Sequence, residues 1–385
     1  MRIAFYAPLK SPRHDTPSGD RRVGELLMSA LRAGGHRVEL ASEFRSLDLQ
    51  GDARRQSDLR TQGTRIAGEL ARRWIDGAKD ERPELWFTYH LYYKAPDWLG
   101  PAASAALGIP YVIAEASFAP KRAGGPWAMG HEAAGAAIAR ADLVFVPTRH
   151  DIECLRPIVA EPQRLVHLPP FLDARPFREA LRDRHAHRQG LAHAHGLDLQ
   201  LPWLVVVAMM REGDKLASYR ELAAGLARLA DLPWQLVVAG DGPARGEVGA
   251  LLENAAGGRV RFAGELHGDE LARLVVAGDV FVWPAVNEAY GMAMLEAQAA
   301  GVPVVSSAAR GVPEVVRDGE TGMLAPAGDP QALAALARRL LLDPEMRRSM
   351  GRLASSWVSE ERSIETAAGR IDAALARIVT RAGDR

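Results

Sequence analysis

Residues 287–301 read NEAYGMAMLEAQAAG, and this stretch decides how the rest of the chain is interpreted. It follows the apolar run Val280–Trp283, which predicts a strand, and it opens a helix near Gly291. Glu288 lies in the loop before that helix and Glu296 lies inside it. Because a helix N-terminus carries unpaired N–H groups and a partial positive charge, the unit suits an anion such as a diphosphate.

Two interpretations of the glutamates are open from their positions. In the simpler one, Glu288 caps the helix and Glu296 belongs to a solvated face. In the other, Glu296 accepts hydrogen bonds from ribose hydroxyls and Glu288 reaches a sugar beyond the diphosphate. The apolar neighbours of Glu296 in MAMLEAQAAG favour the binding role, because a solvated face would be polar.

Short apolar, β-branched runs alternate with amphipathic stretches on both sides of this motif, six runs in each half of the chain. Such alternation predicts parallel sheets covered by helices on both faces, and hence an α/β fold with two Rossmann-like domains facing a cleft. The predicted strands are Ile3–Pro8, Arg37–Ala41, Leu85–Tyr89, Tyr111–Ala116, Leu143–Thr148, Leu165–Leu168, Leu204–Met209, Gln235–Ala239, Arg259–Ala263, Val280–Trp283, Pro303–Ser306 and Gly322–Ala325.

The length of 385 residues also favours two domains, since a single core stops growing at roughly 250–300 residues. We place an N-terminal domain at 1–170, a linker at 171–200, a C-terminal domain at 201–360 and a helical segment at 361–385. The linker contains the histidine-rich stretch LRDRHAHRQGLAHAHG. No cysteine or carboxylate completes a metal site there, so we expect a solvated helix.

Composition excludes several classes of protein. The formal net charge of zero argues against a nucleic-acid partner, which usually requires a strongly basic chain. One cysteine, Cys154, excludes a disulfide framework and a four-cysteine metal site. The start MRIAFYAPLK lacks the features of a signal peptide, and no run of roughly 20 apolar residues occurs. We therefore expect a cytoplasmic protein, with peripheral contact at the inner membrane face left open.

The region from about Leu204 to Leu342 resembles the donor domain of retaining family-4 glycosyltransferases, which have the two-domain GT-B fold. The resemblance rests on VVAGDGP at 237–243, RFAGELHGDEL at 261–271, the opening motif with its continuation VPVVSS, and GVPEVVRDGETGMLAPAGDP at 311–330. It implies a nucleotide-sugar donor held by this domain. It also implies that the last helix, Ser363–Arg381, crosses back to the first domain.

Site residues follow from the same resemblance. Glu296 is expected to bind the ribose and Glu288 to lie near the donor sugar. Three residues that lie between these glutamates in the sequence are also expected to contact the donor: Tyr290, Gly291 and Met292.

Two cations in MMREGDKLASY, at 209–219, are expected to clamp the diphosphate: Arg211 and Lys215. This loop is one residue shorter than the family pattern. Lys215 stands out because the second half of the chain otherwise uses only arginine as its cation. No D-x-D sequence occurs, so we expect neither a catalytic metal nor another cofactor. Fixed positive groups stabilise the charge that develops on a departing diphosphate.

The first half resembles the family less closely. Gly19 matches a glycine whose loop approaches the donor phosphates, although a turn glycine is an equal alternative. Glu115 stands where the family often has a histidine, and we expect it to contact the donor. Two interpretations of Glu115 with Lys121 and Arg122 are open. These residues contact the donor sugar or the acceptor, or they only form a polar loop. His90 is a weaker candidate.

The favoured function is retaining, metal-independent transfer of a sugar, with a hexosyltransferase expected. The acceptor is open among lipid-linked glycans, polysaccharides and small molecules, and we expect it on the side of the first domain. Two other functions remain open: a nucleotide-sugar epimerase on a related fold, and a non-catalytic nucleotide-sugar binding subunit. A dehydrogenase is disfavoured because no G-x-G-x-x-G follows a strand.

Overall fold

The computed structural model describes residues 1–16 and 18–383, and side chains are described for residues 1–16 and 18–378. The chain forms two compact units, Met1–Pro169 with the C-terminal segment from Ile364, and Pro170–Ser363. Each unit contains one six-stranded parallel sheet with helices around it. The predicted α/β class with two Rossmann-like units is therefore confirmed.

The strands lie where the apolar runs predicted them, with ends that differ by at most two residues. They are β1 (Arg2–Tyr6), β2 (Arg37–Ser42), β3 (Leu85–Leu91), β4 (Tyr111–Ala116), β5 (Leu143–Val146), β6 (Leu165–His167), β7 (Trp203–Val207), β8 (Gln235–Ala239), β9 (Val260–Gly264), β10 (Val280–Trp283), β11 (Val304–Ser307) and β12 (Gly322–Ala325). The side chains of the inner strands are almost all buried on both faces, as expected for parallel sheets covered by helices, whereas β2, β6 and β9 at the sheet edges are largely half-buried.

The helices fill the connections between strands. They are α1 (Gly19–Ala33), α2 (Ala53–Asp76), α3 (Gly100–Leu107), α4 (Ala128–Arg140), α5 (Arg149–Leu155), α6 (Arg175–Arg182), α7 (Arg184–His195), α8 (Asp214–Leu226), α9 (Arg245–Ala256), α10 (Gly268–Ala277), α11 (Met292–Ala299), α12 (Val312–Val315), α13 (Pro330–Leu342), α14 (Pro344–Glu361) and α15 (Ile364–Gly383). No helix among the described residues has the length and apolarity to cross a membrane.

Strand order fixes where each sheet can bind a ligand. The first sheet runs β2-β1-β3-β4-β5-β6 and the second runs β12-β11-β10-β7-β8-β9. In the second, the connections leave β7 and β10 in opposite directions, which is the order of nucleotide-binding Rossmann sheets. In the first, the order reverses between β1 and β3. Ligands of such sheets bind at the carboxyl ends of the strands beside the reversal.

Residues 171–200, predicted to be a linker, lie inside the second unit instead. They form α6 and α7, which pack against α10. Phe177 of α6 and Ala192 of α7 are buried, and Arg188 donates to the Ala277 carbonyl at 2.6 Å. The polar, histidine-rich composition predicted a solvated segment. The few apolar residues on one face are nevertheless enough to dock both helices.

The last helix belongs to the first unit, as the resemblance implied. Along α15, Ile371 and Leu375 are fully buried, and the helix packs on α1. Nε2 of His36 lies 2.9 Å from Oδ1 of Asp372. The hydrophobic face of α15 thus completes the core of the unit in which the chain begins.

Candidate functional site

The site in the second unit lies at the carboxyl ends of β7 and β10, where the order of the second sheet reverses. The loop after β7 leads into α8, and the loop after β10, which contains the opening motif, leads into α11. Because the two connections diverge, a concavity forms between them at this point of a doubly wound sheet.

Lys215 and Glu288 join the two loops. Lys215 lies in the first turn of α8, and its Nζ forms an ion pair with the Glu288 carboxylate in the loop after β10. The two side chains are only 18% and 20% exposed, so solvent screens the pair less than a surface pair. Lys215 Nζ also lies 5.5 Å from the ring centroid of Trp283, the last residue of β10.

Further bonds between α8 and the same loop hold this geometry. Asn287 Nδ2 donates to Oδ1 of Asp214 at 3.0 Å, and the Val286 backbone N–H donates to Oγ of Ser218 at 3.0 Å. The start of α8 and the loop after β10 therefore form one hydrogen-bonded unit.

The floor of this site is aromatic. The ring of Tyr219 lies edge-on to Trp283, with centroids 4.9 Å apart, and its hydroxyl donates to the Ala208 carbonyl at 2.9 Å. Both rings are buried. The contact fixes α8 against the ends of β7 and β10, because a buried tyrosine hydroxyl needs a partner that holds it in one orientation.

Two glycines in the loop after β8 allow that loop to touch the loop after β7. A Cβ on Gly240 would lie 2.0 Å from the Ala208 carbonyl oxygen, and one on Gly242 would lie 2.3 Å from that of Met210. The Met210 N–H donates to the Asp241 carbonyl at 2.8 Å. The sequence VVAGDGP is thus explained by backbone contact, which only glycine permits at this separation.

Backbone strain is concentrated in the loop before α11. Ala285 and Asn287 have φ values of 61° and 52°, in the left-handed region. Gly291, with φ of 78°, is the N-cap residue of α11, and no side chain caps that helix. The simpler interpretation of Glu288 as a helix cap is therefore wrong, since its carboxylate pairs with Lys215.

The other residues predicted in this unit occupy the same edge. Arg211 is exposed in the loop before α8, and it forms no ion pair with any residue in the described ranges. Tyr290 and Met292 are half-buried on either side of Gly291. Glu296 is half-buried in the second turn of α11, between the buried residues Leu295 and Ala297. Its position is not that of a solvated face.

Two of the predicted residues, Gly19 and Glu115, lie in the first unit. Gly19 begins α1, and a Cβ there would meet no atom within 4 Å, so packing within this unit does not require glycine. Glu115 lies at the end of β4. Its carboxylate belongs to a cluster that the sequence did not predict as a whole.

That cluster combines His90, Asp20 and Glu115 at the carboxyl edge of the first sheet. Nδ1 of His90 lies 3.0 Å from Oδ1 of Asp20 and 3.7 Å from Oε1 of Glu115. Both His90 and Glu115 have left-handed backbones, with φ of 57° and 60°. The signal in the sequence was a histidine directly after a strand, together with an acidic residue in the first turn of the neighbouring helix.

Charge and burial act against each other on His90. Burial lowers the pKa of His90, but the carboxylates of Glu115 and Asp20 outweigh it, and the pKa of His90 is raised above its usual range. Burial likewise raises the pKa of Asp20, but hydrogen bonding and attraction to His90, with help from Lys10, hold it below its usual range. The imidazolium and the carboxylates thus stabilise each other.

A cavity of about 540 Å³ lies at the opposite edge of the second unit. Arg184, Arg188 and Arg347 surround Asp279 there, and they also donate to backbone carbonyls, such as that of Ala277 at the end of α10. These contacts tie helix ends together on the side away from the carboxyl edge. Within the described residues, no group of three or more His, Cys, Asp or Glu side chains is placed to hold a metal.

Known proteins resemble this chain over different lengths. Residues 199–357 match the family model described as glycosyl transferases group 1. An alpha-D-kanosaminyltransferase from Streptomyces kanamyceticus is 29% identical over 64% of this chain and 61% of its own length. A sulfoquinovosyl transferase from Arabidopsis thaliana is 38% identical over 30% of this chain and 22% of its own. The chain therefore spans less than two thirds of either relative.

A solved structure resembles the whole chain. HepE from Anabaena, in complex with UDP, has a TM-score of 0.72 and 16% identity, covering 98% of this chain and 100% of HepE. The same protein in complex with UDP-glucose has a TM-score of 0.69. A likeness at this identity concerns the fold, and it confirms the GT-B architecture that the sequence predicted.

We predict that His90→Asn, chosen because asparagine tolerates a left-handed backbone, lowers the free energy of unfolding by about 1–3 kcal/mol near pH 6. The pKa of His90 is raised on folding, so its contribution is complete below its unfolded pKa of about 6.5 and is lost as the pH rises through the folded value. The difference between variant and wild type should therefore shrink toward pH 8.5.

Urea unfolding at a series of pH values from 5.5 to 8.5 measures this effect. His150→Asn, at an exposed histidine of the same unit, is the control and should change stability by at most about 0.5 kcal/mol. A difference between His90→Asn and wild type that stays constant over this range would contradict the ionic role of His90.

Proposed function

We propose that this protein transfers a sugar from a nucleotide-diphosphate sugar to a hydroxyl of an acceptor, and the match of residues 199–357 to the family model of glycosyl transferases group 1 supports this proposal. The observation that carries the proposal is the Lys215–Glu288 pair at the reversal of a Rossmann sheet. The UDP and UDP-glucose complexes of HepE support a nucleotide-sugar donor.

The diphosphate is proposed to lie between Lys215, Arg211 and the start of α11. Lys215 is already held at the edge by Glu288 and Trp283, so its ammonium group is preorganised for an anion. Arg211 is exposed in the loop just before α8, and its guanidinium forms no ion pair with a described residue. An arriving diphosphate competes with Glu288 for Lys215, which frees the carboxylate to accept hydrogen bonds from hydroxyls of the donor sugar.

The nucleoside is proposed to lie along α11. Glu296 is half-buried in the second turn of α11, between the buried residues Leu295 and Ala297, and a carboxylate at this place can accept hydrogen bonds from ribose hydroxyls. Tyr290, Gly291 and Met292 border the same segment. The backbone at Gly291 carries no Cβ, which allows close approach of a phosphate to the first N–H groups of the helix.

The reaction is proposed to retain the configuration of the transferred sugar and to need no metal. The acceptor hydroxyl attacks the anomeric carbon from the face that the diphosphate leaves. The new glycosidic bond forms as the sugar–phosphate bond breaks, and the hydroxyl proton passes to the departing phosphate oxygen. Arg211 and Lys215 stabilise the negative charge that grows on the leaving group.

Replacing Lys215 by alanine should lower both kcat and kcat/KM by about 10²–10³-fold, corresponding to about 2.7–4 kcal/mol of lost transition-state stabilisation. The control is Arg220→Ala on the same helix, which removes only an exposed ion pair with Glu247. Donor turnover by both folded variants is the measurement. A wild-type kcat in Lys215→Ala would show that Lys215 is not part of the catalytic site.

Replacing Glu296 by alanine should weaken UDP binding by about 1.5–3 kcal/mol, because a charged acceptor of hydrogen bonds is lost. Calorimetric titration of UDP in the absence of acceptor measures the change. Glu253→Ala, at an exposed glutamate near the end of α9, should bind UDP as the wild type does. Equal affinity of Glu296→Ala and Glu253→Ala would show that Glu296 does not contact the nucleoside.

Turnover should persist after exhaustive treatment with EDTA, since protein cations rather than a divalent ion are proposed to neutralise the diphosphate. The assay compares initial rates before chelation, after it, and after adding back Mg²⁺ or Mn²⁺. A complete loss of rate that either metal restores would refute this part of the proposal.

A further inference from the structure

Two aromatic rings and two cations meet at the carboxyl edge of the first sheet. Tyr93 and Lys94 lie in the tight turn after β3, and Arg122 and Trp127 lie in the segment after β4. We call Tyr93, Lys94, Arg122 and Trp127 the aromatic–cationic surface. All four side chains are half-buried, so each presents part of its surface to solvent.

Both cations of this surface lie over the same pair of rings. Lys94 Nζ is 4.8 Å from the ring centroid of Trp127 and 5.9 Å from that of Tyr93. Arg122 Cζ is 5.3 Å from the centroid of Tyr93 and 5.9 Å from that of Trp127. The two rings are 5.7 Å apart and nearly perpendicular, at 77°.

The backbone under the surface is firmly held. The Asp48 N–H donates to the Lys94 carbonyl at 2.8 Å, and Trp127 Nε1 donates to the Asp48 carbonyl at 2.9 Å. A Cβ on Gly130 would lie 2.1 Å from the Tyr93 carbonyl oxygen, so α4 touches the turn directly. A surface with this support is preorganised, which lowers the entropic cost of binding.

The charge of the surface is not compensated. Neither Lys94 nor Arg122 forms an ion pair with any residue that the structure describes, although the sequence has equal numbers of basic and acidic residues, 48 of each. One cation over an aromatic ring is common and often only covers apolar surface. Two cations over the same two rings repel each other, and an anion between them would relieve that repulsion.

The surface continues into the polar cluster of the first unit. The ring of Tyr92 lies 5.4 Å from that of Tyr93 and 5.5 Å from the imidazole of His90. The aromatic–cationic surface, His90 and Glu115 therefore line one stretch of the edge at which this class of sheet binds ligands. The carboxylates of the polar cluster and the aromatic side chains of the surface are thus adjacent.

We propose that the aromatic–cationic surface holds the acceptor, and that the acceptor is a sugar ring carrying a phosphate or carboxylate group. The apolar C–H face of the sugar packs on Tyr93 and Trp127, while its anionic group lies between Lys94 and Arg122. The arginine guanidinium offers paired donors that match phosphate and carboxylate oxygens. This assignment rests on the proposed function, because only a glycosyl transfer requires an acceptor.

Binding of glucose 1-phosphate, glucose 6-phosphate, glucuronate, glucose and inorganic phosphate to the full chain tests the proposal, using saturation-transfer NMR and calorimetry. At least one anionic sugar should bind ten times more tightly than glucose. Lys94→Gln and Arg122→Gln should each weaken that binding about tenfold or more. Tyr93→Leu should weaken binding of the sugars but leave inorganic phosphate unaffected. Melting temperatures confirm that each variant is folded.

Two control variants locate the bound anion. Lys79→Gln removes an exposed lysine before β3, at the other end of the strand that leads to Lys94, and should bind every probe as the wild type does. Arg184→Gln tests the arginine-lined cavity of the second unit. Anion binding that depends on Arg184 and not on Lys94 would overturn the proposal, as would anionic sugars that bind no more tightly than glucose.

Sedimentation with phosphatidylglycerol vesicles tests whether the aromatic–cationic surface binds a membrane instead of a sugar. Vesicle binding that Lys94→Gln abolishes, with no binding of anionic sugars, would make the surface a membrane contact and the proposal wrong. UDP titration of the same variants should give wild-type affinity. If wild-type protein does not bind UDP, the proposed function fails, whereas UDP binding without selective binding of anionic sugars refutes only the acceptor assignment.

Discussion

The reversal of strand order between β7 and β10 is the constraint on which the second unit depends. Two connections that leave neighbouring strands in opposite directions open a gap, and the chain must hold both sides of it in register. The start of α8 does this through Lys215 and Asp214, which bind Glu288 and Asn287 of the opposite loop. Of the groups that span the gap, Lys215 is also proposed to meet the diphosphate and Glu288 the donor sugar.

Local sequence was enough to predict the strands, because parallel strands buried on both faces are short apolar runs that stand out from their surroundings. It did not predict that α6 and α7 dock, because their polar, histidine-rich composition indicated a solvated linker, although a narrow apolar face packs them on α10.

The members of the site could be named from sequence, but their partners could not. Lys215 and Glu288 were each predicted to serve the donor, yet their ion pair joins residues 73 positions apart and depends on β7 and β10 being neighbours. In the first unit, Asp20, His90 and Glu115 come from three separate elements, α1, β3 and β4. Residue type alone does not predict that these side chains lie close together, because their proximity depends on the strand order of the whole sheet.

Strained backbone marks both candidate sites more sharply than residue type does. Among the described residues, five that are not glycine have positive φ: His90, Glu115, Ala285, Asn287 and Arg310. Each lies at or just after the carboxyl end of a strand, where its sheet binds ligands. Left-handed backbone costs such residues about 1–2 kcal/mol, and glycine would remove that cost. The chain keeps a side chain at all five positions instead, and at His90, Glu115 and Asn287 that side chain makes a polar contact at the edge. The chain thus loses conformational stability at positions where a side chain must point in a particular direction. This pattern is expected of a binding edge rather than of a packed core.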